Sequence, residues 1–94
     1  MFWYTLPVQK HLYMEDMGSH YKKEYVIPGV DKPNIVVTKK NGVIDVSAHQ
    51  DDNRYAFVTK IPNDVDNTSI TATHKNGVLT VSVNKVIDGR IYVT

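Results

Sequence analysis

The chain has 94 residues, 11 Lys and Arg against 10 Asp and Glu, and no Cys. That length suits one domain with one core. The missing Cys excludes a disulfide scaffold, a thiolate metal site and a Cys nucleophile, and the near-balanced charge argues against a broad basic surface for nucleic acid. Val (14), Ile (7) and Thr (8) far outnumber Leu and Ala, at three each. β-Branched side chains lose rotamer freedom in helices and pack well on a pleated sheet, so a small all-β domain is expected.

The first 20 residues differ from the rest. Phe2, Trp3, Tyr4, Leu6, Leu12, Tyr13, Met14 and Met17 crowd into them without a sustained period of two. Two readings stay open for this arm: it packs on its own domain, or it is an adhesive surface hidden in an assembly and exposed on demand. It is too short and lacks the basic leader of a secretory signal, and no stretch approaches the ~20 apolar residues that cross a bilayer. The chain therefore reads as intracellular and cytoplasmic, without membrane insertion. The sequon at Asn67-Thr68-Ser69 reads as a chance match.

From Tyr21 the pattern becomes that of strands. A first run at residues 23–27 ends at the turn signal Pro28-Gly29. Runs at 34–40 and 43–48 flank Asn41-Gly42. Asn-Gly is the strongest short-range hairpin signal, because a type I′ turn needs positive φ at both central positions. A third run, 54–61, sets Tyr55 and Phe57, with Thr59 and Ile61, on one face, and Pro62 ends it. The hairpin device then recurs 35 residues on: Thr38-Lys39-Lys40-Asn41-Gly42-Val43-Ile44-Asp45-Val46-Ser47 aligns with Thr73-His74-Lys75-Asn76-Gly77-Val78-Leu79-Thr80-Val81-Ser82. Two hairpins are too few for a solenoid and suggest the two layers of a sandwich. About six strands and no helix are expected. After Val83 the pattern stops, and the chain closes on Ile91-Tyr92-Val93-Thr94.

Catalytic and metal sites are not expected. His11, His20, His49 and His74 lack ligand-like spacing, and the nearest pairs, His11 with Glu15 and His49 with Asp51, lack a third ligand. Asp51-Asp52 reads as a solvated loop. Gly42 and Gly77 are hairpin glycines rather than a phosphate loop, and Ser47 and Ser82 lie in hairpins rather than on a nucleophile turn. Nothing points to an enzyme or a cofactor.

Four segments, in order, carry a family likeness. Ala72-Thr73-His74-Lys75-Asn76-Gly77-Val78-Leu79 resembles the A-x-x-x-[ND]-G-V-L signature of the α-crystallin domain. Tyr25-Val26-Ile27-Pro28-Gly29-Val30 resembles its opening P-G-V segment. Phe57, Ile61, Pro62, Val65 and Asp66 match its F-x-x-x-φ-P-x-x-V-D segment, and Ile91-Tyr92-Val93 is similar to the family's Ile-x-Ile/Val tail motif. The chain thus resembles a small heat shock protein. The resemblance implies an immunoglobulin-like β-sandwich at residues 21–85, between an N-terminal apolar arm at 1–20 and a C-terminal tail at 86–94. It implies ATP-independent holding of unfolding client proteins, and a homo-oligomer built from dimers. The tail knobs Ile91 and Val93 would dock into a neighbour's groove walled by Ile35, Val37, Ile70 and Ala72. Clients would meet Phe2, Trp3, Tyr4, Leu6, Leu12 and Tyr13 on the arm. The dimer edge would involve Arg54, Tyr55 and Phe57. The short connectors on either side of 54–61 leave no room for the swapped strand of bacterial and plant relatives. For the tail, a last strand within its own sheet remains the alternative to docking. For the protein, a monomeric adaptor similar to CS-domain co-chaperones and a fixed structural subunit remain alternatives.

Overall fold

A computed structural model describes residues 12–86. Among these residues, seven strands form two antiparallel sheets: β1 (Glu15–Asp16), β2 (His20–Val26), β3 (Ile35–Lys40), β4 (Val43–Gln50), β5 (Asn53–Lys60), β6 (Thr71–Lys75) and β7 (Val78–Asn84). One sheet has the order β1-β2-β7-β6 and the other β3-β4-β5. The two Asn-Gly hairpins fall in opposite sheets, as expected of a sandwich. Both turns carry positive φ at both central positions, 53° and 78° at Asn41-Gly42 and 51° and 79° at Asn76-Gly77, the geometry that matches the twist of the flanking strands.

Period-two alternation builds the core. β4 buries Ile44, Val46 and Ala48 and turns Asp45, Ser47 and His49 outward. β7 buries Leu79, Val81 and Val83 from the facing sheet, and Tyr25, Ile27, Val30, Phe57, Ile61 and Val65 complete the cluster. The buried hydroxyls of Tyr25 and Thr59 hydrogen-bond across the two sheets, which satisfies polar atoms that would otherwise be stranded in the core. Desolvation holds the Tyr25 phenol above its ordinary pKa, partly offset by the bond to Thr59.

The chain crosses between the sheets at Pro28-Gly29 and a 3₁₀ turn, Lys32–Asn34. The Gln50 side chain fastens that crossing to β4: Oε1 accepts from the Asp31 N–H (2.7 Å) and Asn34 Nδ2 (2.8 Å), and Nε2 donates to Asp31 Oδ2 (3.1 Å). A second 3₁₀ turn, Asn67–Ser69, starts on Asp66, whose carboxylate accepts from the Thr68 N–H at 3.0 Å.

Two details go beyond the sequence reading. β2 starts at His20, ahead of the expected strand, and the two-residue β1 folds back on it, pairing Glu15 with Lys22 and Asp16 with Tyr21. β4 and β5 also form a tight hairpin through Asp51-Asp52, with Asp51 at φ 54°. Asp tolerates this left-handed conformation better than most non-glycine residues.

Candidate assembly and client surfaces

β3 and β6 are each the last strand of their sheet, and an open cleft of about 340 Å³ lies between them. Ile35, Val37 and Ala72 give it apolar walls over Leu79, with Lys32, Thr73 and His74 completing the lining. Three of the four expected groove residues thus meet at one cleft. Ile70 is not in the lining; it is half-buried and packs on the core. His74 was set aside in the sequence as a poor metal ligand, and its place in the cleft was missed. The period-two rule offered the signal, since Ala72 and His74 share a face of β6. Its Nε2 is buried with no hydrogen-bond partner among the described residues.

β5 is the opposite edge of the β3-β4-β5 sheet, where the dimer edge was expected. Arg54 is exposed there. Tyr55 is half-buried, stacked on Phe57 with ring centroids 6.5 Å apart, and its hydroxyl donates to the Pro28 carbonyl at 2.8 Å. The Phe57 side chain is 3% exposed and belongs to the core. Contact across this edge would therefore rest on Arg54 and its even-numbered neighbours, because Phe57 turns its side chain to the core and its main-chain groups to β4.

Of the arm residues, Leu12 and Tyr13 are exposed, at 45% and 67%, and Met14 packs against the core. They approach the end of β5, where Lys60 N–H donates to Leu12 O at 2.7 Å. A second cleft, about 500 Å³, opens there between Tyr13, Met14, the Asn41-Gly42 turn and the Ile61-Pro62-Asn63 segment. Phe2, Trp3, Tyr4 and Leu6 of the arm, and Ile91 and Val93 of the tail, lie outside the described residues.

A polar cluster fastens β1 to the far end of β7. Lys85 Nζ is 2.8 Å from Asp16 Oδ1 and 4.9 Å from the Tyr21 ring centroid, and the Tyr21 hydroxyl donates to Asp64 at 2.9 Å. The hydrogen bond from Lys85, helped by the Gly18 N–H, holds the Asp16 carboxyl below its ordinary 3.8. The same bond raises Lys85. A lowered carboxylate stabilises the fold above its ordinary pKa, and the contribution is lost as pH falls through the lowered value. Lys85→Gln is thus expected to lower the unfolding temperature near neutral pH, by an amount that shrinks as the pH drops below 3.8. Thermal unfolding at both pH values checks this, and a difference that persists in acid would show that the bridge is not the cause.

Residues 50–91 match the model of the Hsp20/alpha crystallin family. The sandwich has the fold of an α-crystallin domain. Small heat shock proteins, which are non-enzymatic, share its two-sheet architecture. HSP18.5 from E. histolytica superposes with a TM-score of 0.73 at 21% identity, covering 86% of this chain and 90% of that one. A small heat-shock protein from Xylella fastidiosa gives 0.71 at 18% identity, with 86% and 92% covered. Heat shock protein 16.0 from Schizosaccharomyces pombe gives 0.70 at 18%, with 95% and 85% covered. No curated protein sequence matches significantly. Among the described residues, no group of three His, Asp or Glu could hold a metal ion, and no helix is long and apolar enough to cross a membrane.

Proposed function

We propose that the protein is an ATP-independent holdase: it assembles into homo-oligomers from dimers, and its apolar termini shield unfolding proteins from aggregation. The cleft between β3 and β6 carries this reading. Its walls, Ile35, Val37 and Ala72 over Leu79, are apolar and open, and the chain ends on two apolar residues two positions apart. In an extended tail Ile91 and Val93 point to the same side, so both can enter one cleft. Burying each contributes about 1.5–3 kcal/mol before the tail is ordered, which alone gives roughly millimolar docking. Several tails in one assembly act through effective concentration and still release one at a time, which suits a protein that exposes adhesive surface on demand.

Heat-induced light scattering of an aggregating client tests the proposal. The full chain at stoichiometric ratio is expected to suppress scattering without nucleotide, and the chain lacking residues 1–11 to suppress it less while keeping its β-sheet circular dichroism. The deletion stops there because Met14 packs on the core and Glu15–Asp16 is paired. Undiminished scattering with the full chain would count decisively against a holdase.

A further inference from the structure

The same tetrapeptide occurs twice, as Lys40-Asn41-Gly42-Val43 and as Lys75-Asn76-Gly77-Val78, and each copy forms the turn of a hairpin. Asn-Gly is also a reactive dipeptide in water. Glycine has no side chain to hinder its nitrogen from attacking the neighbouring amide carbon. The intrinsic chemistry of the two sites is therefore the same, and a difference in reactivity between them comes from the fold.

The fold restrains both. The first central residue of a type I′ turn has ψ of about +30°, which sets the next nitrogen almost opposite the asparagine side chain. Attack waits until the turn leaves that conformation, so the rate follows how readily each turn opens. The two turns differ there. Gly77 is half-buried and would carry a Cβ 3.5 Å from Pro28 Cα. Its carbonyl accepts from the N–H of fully buried Ile27 at 2.8 Å. Gly42 is exposed, and a Cβ there would meet nothing within 4 Å. Its carbonyl is tied by the Ile61 N–H at 2.9 Å, but Asn41 and Gly42 border the open cleft of about 500 Å³, which gives the turn room to swing. Charge points the same way. Lys40, Val43 and Lys60 form one cross-strand row, so two cations flank the first turn. The matching row at the second is Lys75, Val78 and Val26. Nearby cations favour the deprotonated nitrogen that attacks.

We propose that Asn41 is a site of spontaneous deamidation and that the fold protects Asn76 from it. Gly42 N bonds to Asn41 Cγ, the Cγ–Nδ2 bond breaks, and Nδ2 leaves as ammonia with the proton from Gly42 N. Water then opens the cyclic imide. Cleavage between Gly42 N and Cγ gives aspartate. Cleavage between Gly42 N and the main-chain carbonyl carbon gives isoaspartate, whose backbone runs through Cγ and is one carbon longer. Either product adds one negative charge, which cancels the formal net charge of +1, and a protein without net charge associates more readily. A two-residue turn has no slack for the extra carbon, so isoaspartate loosens the Lys40–Val43 pair first. That pair ends the strand in which Ile35 and Val37 wall the β3–β6 cleft. Asn41 thus records the age of each copy in the strand that walls the cleft.

Peptide mapping by mass spectrometry, on the full chain incubated in mildly alkaline buffer, tests the assignment. In the folded protein Asn41 is expected to convert at least ~10-fold faster than Asn76, the ratio that a difference of about 1.4 kcal/mol in turn opening gives. In denaturant, where the shared tetrapeptide sets the chemistry, the two rates are expected to converge. Equal rates in the folded protein, or faster conversion at Asn76, would overturn the assignment. A preference for Asn41 that persists in denaturant would overturn its structural cause. The isoaspartate form, separated by chromatography, is expected to unfold at a lower denaturant concentration than the fresh protein, and identical midpoints would overturn the effect on the hairpin. No client enters these measurements, so failure of the holdase assay leaves them standing.

Discussion

Leu79→Ala is expected to cost ~2–5 kcal/mol of folding stability. Leu79 sits on β7, 3% exposed, and lies on both the core and the floor of the β3–β6 cleft. Removing its isobutyl group forfeits the transfer free energy of the buried carbons and leaves a void beside Ile35 and Val37. β7 is held between β2 and β6 and cannot easily shift to close it. In a domain of this size each kcal/mol moves the unfolding temperature by roughly 4–8 °C. Denaturant unfolding with an unchanged slope checks the value. A loss well under 2 kcal/mol would mean that the floor of the cleft is not part of the core.

Gly29→Ala is the second large effect, at about 1–3 kcal/mol. Gly29 has φ +82°, and a Cβ there would stand 2.4 Å from Asn53 Nδ2 and 2.9 Å from its Cγ. Asn53 can swing aside, but its side chain donates to the Gly29 carbonyl at 3.3 Å, and that bond would go with it. The same turn receives the Tyr55 hydroxyl at the Pro28 carbonyl, so the strain falls where the crossing meets β5. Gly42 has nearly the same φ, +78°, and open space around it. Gly42→Ala bears the conformational strain alone and is expected to destabilise less. Chemical unfolding of both variants gives the difference directly, and equal losses would show that the contact with Asn53 carries no energy.

Much of the sandwich is legible in the chain because one face of each long strand is buried. In β4 and β7 the alternation is complete, and the Asn-Gly turns leave one register for each hairpin. β1 was not legible: two residues have no period, and their pairing depends on a turn at Gly18 and on Lys85, far away in sequence. The Asp51-Asp52 hairpin was read as a polar connector because Asp fits a solvated loop as well as a tight turn. The family likeness placed Ile35, Val37 and Ala72 at a groove, and they line the β3–β6 cleft. Ile70 was misassigned to the cleft, and His74 was missed, because neighbours across two sheet edges cannot be inferred from one strand's pattern.

The proposal that the termini engage other copies of the chain is tested most directly by native mass measurement of the full protein beside Ile91→Ser/Val93→Ser. The expected result is a multi-subunit assembly for the unchanged chain and a shift to dimers or monomers for the variant, with the β-sheet circular dichroism of the two identical. Two monomers of equal mass would contradict it and favour a solitary adaptor on the same sandwich.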